Sequence, residues 1–69
     1  MDIKQIFGNS IKHYREKKGL TQQQLADLVG LQRAYLSDVE RGKRNVTLDI
    51  MAQISNGLDV KLQKLLIEK

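Results

Sequence analysis

The stretch from Leu20 to Glu40, LTQQQLADLVGLQRAYLSDVE, determines how the rest of this chain is interpreted. It contains two amphipathic segments of about two helical turns each, separated by Gly30. Thr21 and Gln24 form a capping box that predicts the start of the first segment. The second segment begins near Gln32. Because a link of about three residues is too short for antiparallel neighbours, we expect the two helices to cross steeply.

Three further helices are predicted on either side of this stretch, from apolar periodicity and helix-end signals. They run from about 3 to 18, from 48 to 57 and from 60 to the last turn of the chain. A capping box of Asp2 with Gln5 predicts the start of helix one. Thr47 and Gly57 predict the start and the end of helix four, and Asp59 predicts the cap of helix five. No segment alternates apolar and polar residues between turns, so we expect an all-α protein of five helices.

Apolar residues at helical spacing predict which face of each helix is buried. The expected inward residues are Ile3, Ile6, Phe7, Ile11 and Tyr14 in helix one, Leu25, Leu28 and Val29 in helix two, Leu36 and Val39 in helix three, and Leu48, Met51 and Ile54 in helix four, while Leu62, Leu65 and Leu66 share one face of helix five. This set is sufficient for one small core.

Length and composition narrow the class of protein. Sixty-nine residues predict a single domain spanning 1–69. The chain has no cysteine and one histidine, so we expect no disulfide, no metal site and no cofactor. It has no long apolar run and no charged-then-apolar leader, which favours a cytoplasmic protein without a membrane segment.

The positive charge is concentrated in the first two thirds of the chain. Residues 1–44 hold nine Lys and Arg against five Asp and Glu, whereas residues 45–69 hold three of each class. A basic half favours a polyanionic partner, although small basic surfaces are also common in proteins without one.

The outward edge of helix three is suited to reading DNA bases. With Leu36 and Val39 buried, helical geometry turns a polar set outward, and an arginine on such a helix can bond guanine while alanine can meet a thymine methyl. The expected base-reading residues are Gln32, Arg33, Ala34, Ser37 and Asp38. Asp38 has two interpretations, because it can accept from a cytosine amine or pair with Arg41.

The segment TQQQLADLVGLQRAYLSDVERGKRN resembles the helix-turn-helix of the Cro/repressor-like transcription regulators, the XRE family. FGNSIKHYREKKGLTQ is similar to that family's first helix, and TLDIMAQISNGLDVKLQKLL to its last two. LQRAYLSDVERGKRNVTL is most similar to small controller proteins of restriction-modification systems. The resemblance implies a compact, lambda-repressor-like DNA-binding domain.

The resemblance also implies roles for residues around the motif. It implies phosphate contacts for Thr21, Gln22, Tyr35, Arg41, Lys43, Arg44 and Asn45. Tyr35 has packing as its alternative role, and the basic loop could be an ordinary charged turn. The resemblance further implies an ion pair of Arg15 with Glu40 that fixes helix three on helix one.

One short recognition helix reads only a few base pairs, so we expect a homodimer on a pseudo-palindromic operator, with its two helices about 34 Å apart. The expected interface residues are Ile50, Ile54, Leu58, Leu62 and Leu66. The alternative is that most of the apolar residues from Leu58 onward complete the core of a single copy. The expected function is a sequence-specific, double-stranded-DNA-binding regulator of transcription.

Two other functions compete with this hypothesis. An antitoxin of the same fold would use the apolar surface of helix five to bind a protein partner. RNA binding is disfavoured by the lack of exposed aromatic residues for base stacking. We expect no enzyme, because the sequence shows no nucleophile–base pair, metal cluster or phosphate-cradling glycine loop.

Overall fold

The computed structural model describes residues 2–68, and they form five α-helices and no strand. The helices are α1 (Ile3–Lys17), α2 (Gln22–Val29), α3 (Arg33–Glu40), α4 (Leu48–Leu58) and α5 (Leu62–Leu65). The predicted all-α architecture with five helices is confirmed. Met1 and Lys69, the two ends of the expected 1–69 domain, lie outside the described residues.

Three helices begin at the caps that the sequence predicts. The Asp2 carboxylate accepts from the backbone N–H of Lys4 at 2.9 Å, and the Thr47 hydroxyl caps α4. Thr21 and Gln24 form a reciprocal capping box at the start of α2, with N···O distances of 2.8 and 3.1 Å. These local bonds satisfy N–H groups that the first helical turn leaves without a partner.

Three predicted end signals are wrong. Gln5 does not complete a capping box with Asp2, because its amide donates instead to Asn9 Oδ1 at 2.8 Å. Gly57 does not end α4, which continues to Leu58 and has its C-cap at Asp59 in the left-handed conformation, with φ 55°. Asp59 therefore does not cap α5, whose N-cap is Lys61 without a side-chain hydrogen bond.

The core lies where α1 packs against α3 and α5, and where α2 packs against α3 and α4. Its buried apolar residues are Phe7, Ile11, Leu25, Ala26, Val29, Leu36, Val39, Ile54, Leu58 and Leu65. Ile54 and Leu58 are fully buried here, so their assignment to a dimer interface is wrong: neither has surface left for a second copy.

Three apolar residues expected to face inward are exposed. Ile3, Leu28 and Leu48 expose 56%, 59% and 73% of their surface. Each lies on an apolar stripe that is wider than the area covered by the neighbouring helices, so the predicted burial of these three residues is wrong.

Two glycines allow helices to approach closely. A Cβ at Gly8 of α1 would overlap the carbonyl oxygens of Val39 and Glu40 in α3. A Cβ at Gly57 would overlap a methyl group of Val29, which explains why a glycine lies inside α4 rather than at its end. Both glycines bring backbones closer than any larger residue would permit.

The corner between α2 and α3 sets the direction of α3. Gly30 occupies the left-handed region at φ 74° and ψ 31°, and the next N–H, of Leu31, donates to Ala26 O at 2.9 Å. Gln53 of α4 reaches across and donates its amide to the Val29 carbonyl. The end of α2 is thus held by a side chain from a distant helix as well as by its own turn.

No helix among the described residues is long and apolar enough to cross a lipid bilayer.

Candidate nucleic-acid interface

Helix α3 has one buried face and one open face. Leu36, Val39 and Glu40 are buried against the core, whereas Arg33 and Ala34 are exposed. Ser37 and Asp38, one turn further on, are half-buried. The five residues considered for base reading, Gln32, Arg33, Ala34, Ser37 and Asp38, therefore lie together on or beside the open face.

The first turn of α3 has no side-chain cap. Gln32 is the exposed N-cap residue, and its side chain makes no hydrogen bond to the helix. The N–H groups of this turn carry the positive end of the helix dipole, which favours an anionic partner. Gln32 can therefore contact a base edge or leave the helix end to a phosphate.

An ion pair holds α3 against α1. Nε and Nη2 of Arg15 donate to the two carboxylate oxygens of Glu40 at 2.7 and 3.1 Å. The third guanidinium nitrogen, Nη1, donates to Leu20 O at 2.8 Å. Arg15 is 8% exposed and Glu40 5% exposed. The hydrogen bond and charge of Glu40 raise the pKa of Arg15, against the opposing effect of burial.

Gln22, at the start of α2, joins this network. Its amide Nε2 donates to Glu40 Oε1 at 3.0 Å, so α1, α2 and α3 all meet at one carboxylate. Thr21 is exposed, and its hydroxyl already accepts from the backbone N–H of Gln24. Internal hydrogen bonds thus hold the side chains of both Gln22 and Thr21.

A second cluster of charges lies at the C-terminal end of α3. Asp38 Oδ1 accepts from Arg41 Nη2 at 2.6 Å, and Asp38 Oδ2 lies 3.5 Å from Arg44 Nε. The guanidinium of Arg44 stacks on the ring of Tyr35, 5.0 Å from its centroid. The hydrogen bond from Arg41, with the charges of Arg41 and Arg44, lowers the pKa of Asp38.

The loop after α3 extends this surface. Lys43 and Asn45 are exposed, and the Lys43 backbone N–H donates to Asp38 O at 2.9 Å, which ties the loop to the helix. Within residues 2–68, Arg33 and Lys43 make no ion pair. Arg33 and Lys43 are thus exposed cations without a carboxylate partner in residues 2–68. Arg41 and Arg44 share the carboxylate of Asp38.

The sequence did not reveal three features that build this surface. The pattern of the chain points to Arg41 as a partner of Asp38, but not to Arg44, which joins from the loop. The sequence does not show that Gly8 lies against the backbone of α3, because that contact appears only when the two helices are packed together. Gln53 caps α2 from α4, and no local spacing signals such a contact.

Comparisons with known proteins find the same fold. The helix-turn-helix family model matches residues 11–65. The control protein C.SmaI of Serratia marcescens is 42% identical over 66 residues, which cover 96% of this chain and 79% of that protein.

Two solved structures show the same arrangement of helices. The restriction-modification controller protein C.AhdI from Aeromonas hydrophila superposes with a TM-score of 0.86 at 40% identity, covering 90% of this chain and 94% of that one. The biofilm regulator SinR, solved in complex with DNA, superposes with a TM-score of 0.83 at 35% identity, covering 88% and 98%.

Proposed function

The chain belongs to the helix-turn-helix family, and from that premise we propose that it is a sequence-specific DNA-binding regulator of transcription. The observation that carries this proposal is the open face of α3. Arg33 and Ala34 are exposed while Leu36 and Val39 on the opposite face are buried. A helix held by one face on a core presents its other face to a major groove without rearrangement.

Each part of the open face has its own task in this proposal. Arg33 donates its two parallel N–H groups to a guanine edge, Ala34 allows close approach or meets a thymine methyl, and Ser37 bonds a base one turn further on. The exposed loop residues Lys43 and Asn45 bind sugar-phosphate backbone, as do the starts of α2 and α3. The base contacts set sequence preference, and the phosphate contacts set register and affinity.

The proposal includes a homodimer on a pseudo-palindromic site, because one eight-residue helix contacts few base pairs. The apolar surface that remains near the end of the chain supports it. Leu66 is 37% exposed and lines an open groove with Ile3 and Met51, and Ile67 beside it is also exposed. Of the residues predicted for the interface, Ile50 and Leu62 are half-buried and keep part of their surface.

Selection of binding sites from random duplex DNA tests this function. We expect one preferred sequence with two-fold character, bound with an affinity that falls steeply as salt rises. Arg33→Ala should change the preferred base at one position of each half-site. Lys43→Ala should weaken all duplexes alike and reduce the slope of log K against log salt by about 0.9 for each subunit bound, or about 1.8 for the dimer. A protein that enriches no sequence would contradict the proposal.

The dimer is tested separately by sedimentation of the protein with and without DNA. Leu66→Glu should shift the free protein towards monomer and weaken operator binding, while leaving the circular dichroism of the helices unchanged. Gln63→Glu, at an exposed position of the adjacent helix α5, is the matched control because it also adds one negative charge. Equal effects of the two substitutions would place the interface elsewhere.

A further inference from the structure

The four cations around α3 fall into two classes. Arg33 and Lys43 are exposed and make no ion pair within residues 2–68. Arg41 and Arg44 both approach the carboxylate of Asp38, one at each oxygen, at 2.6 and 3.5 Å. A single half-exposed carboxylate thus partly neutralises half of the positive charge on the proposed DNA surface.

Asp38 accepts a hydrogen bond from one N–H group of Arg41 and lies beside Nε of Arg44, and a phosphate would bind the same two guanidinium groups. Arginine recognises carboxylate and phosphate through the same planar N–H groups, so one oxyanion can substitute for the other. The side chains of Arg41 and Arg44 remain 59% and 50% exposed, so a DNA backbone can reach them while Asp38 is in place. Competition between the two oxyanions requires only side-chain movements.

Stacking on Tyr35 keeps Arg44 close to Asp38. The Arg44 guanidinium lies 5.0 Å from the centre of the Tyr35 ring, and the Lys43 N–H bond to Asp38 O closes the loop over the same residue. Both contacts limit how far Arg44 moves from the carboxylate in the free protein.

We infer that Asp38 is an internal competitor of DNA phosphate for Arg41 and Arg44, and that it thereby lowers affinity for DNA without the correct bases. The inference rests on the proposed function and adds a specificity determinant to it. On any duplex, a phosphate that binds Arg41 or Arg44 competes with Asp38, and the Asp38 charge then lies close to the DNA backbone. Only a groove that offers an amino group, such as cytosine N4, provides the freed carboxylate with a new donor.

Asp38→Asn tests the inference because it keeps the shape and removes the charge. We expect affinity for a random-sequence duplex to rise about fivefold, with a salt slope steeper by about 0.9 for each subunit bound. Affinity for the selected operator should rise less or fall, so the ratio of specific to non-specific binding decreases. Asp59→Asn is the matched control, since it makes the same charge change in the α4–α5 connection and asparagine tolerates the left-handed conformation there.

A double variant that lacks both arginines distinguishes competition between Asp38 and phosphate from a general effect of net charge. In Arg41→Gln/Arg44→Gln, the Asp38→Asn substitution should raise random-duplex affinity no more than Asp59→Asn does. Thermal melts by circular dichroism verify that each variant is folded.

Three outcomes would overturn the inference. One is an equal gain from Asp38→Asn and Asp59→Asn in the otherwise unchanged chain. Another is a gain that persists fully without the two arginines. The third is loss of operator binding with no gain on random DNA, which would make Asp38 a base contact only. If the unsubstituted protein selects no sequence at all, the proposed function fails instead, and that result is visible before any variant is made.

Discussion

Arg15 of α1 and Glu40 of α3 form a two-pronged ion pair, with N···O distances of 2.7 and 3.1 Å, and both residues are almost completely buried. Arg15 and Glu40 line an open cleft together with Ser37 and Arg41 of α3. Since Gln22 of α2 donates to the same carboxylate, the pair also links the first helix of the motif to the second. The orientation of the proposed reading helix therefore depends on charges that would not themselves touch DNA.

Arg15→Ala should lower the free energy of unfolding by about 3–5 kcal/mol, because it leaves the Glu40 carboxylate buried without its cation. Urea denaturation at neutral pH measures the loss. The double variant Arg15→Met/Glu40→Leu should lose less than the single one, since it removes both buried charges. A single variant as stable as the parent would show that the pair is solvated in solution.

Gly8→Ala should destabilise the protein by about 1–3 kcal/mol, because the new methyl group overlaps the Val39 and Glu40 carbonyl oxygens. An isolated helix would respond in the opposite direction, with a gain of about 0.5–1 kcal/mol from the same substitution. Urea denaturation measures the change in the free energy of unfolding, and its sign shows whether the overlap with α3 or the helix propensity of alanine dominates. Lys12→Ala, on an exposed position of α1, is the control and should change stability by about 0.5 kcal/mol or less.

Leu58→Ala should cost about 2–5 kcal/mol of stability at any protein concentration, because Leu58 is fully buried within one copy of the chain. Leu48→Ala, which removes the same atoms from a residue 73% exposed, should stay within about 0.5 kcal/mol. Chemical denaturation at two protein concentrations tests both. If the cost of Leu58→Ala disappeared on dilution, that residue would belong to a subunit interface after all.

Asp38 should contribute to stability only above the acid range. Arg41 lowers its pKa in the folded protein, so the unfolded chain takes up a proton first as pH falls. The contribution is therefore present above the unfolded value of about 3.9 and is lost as pH falls through the lower folded value. The stability difference between the parent and Asp38→Asn should be small near pH 7, since Asp38 lies at the surface, and should vanish in strong acid.

Urea midpoints measured at several pH values for both proteins give this difference directly. Asp59→Asn, whose carboxylate makes no ion pair within residues 2–68, controls for the loss of one negative charge. A difference that grows as pH falls below 4 would mean that the Arg41 contact does not form in solution.

Local chemistry explains why so much of the fold was predictable. The Thr21–Gln24 capping box, the Thr47 cap and the left-handed Gly30 each act within a few residues, so their spacing in the sequence is sufficient to locate them. The apolar period then identifies each helix. The errors at Gly57 and Asp59 arise because a glycine serves equally well to end a helix or to admit a neighbour, and only Val29 of another helix distinguishes the two.

By itself, the sequence determined the helices, the corner at Gly30 and the set of polar residues on the outer edge of α3, because these depend on neighbours in the chain. Tertiary structure alone decided that Ile54 and Leu58 belong to the core, that Leu28 and Leu48 are exposed, and that Arg44 joins Arg41 at Asp38. The physical reason is that burial and ion pairing depend on which surfaces meet, and residues from distant helices and loops supply those surfaces.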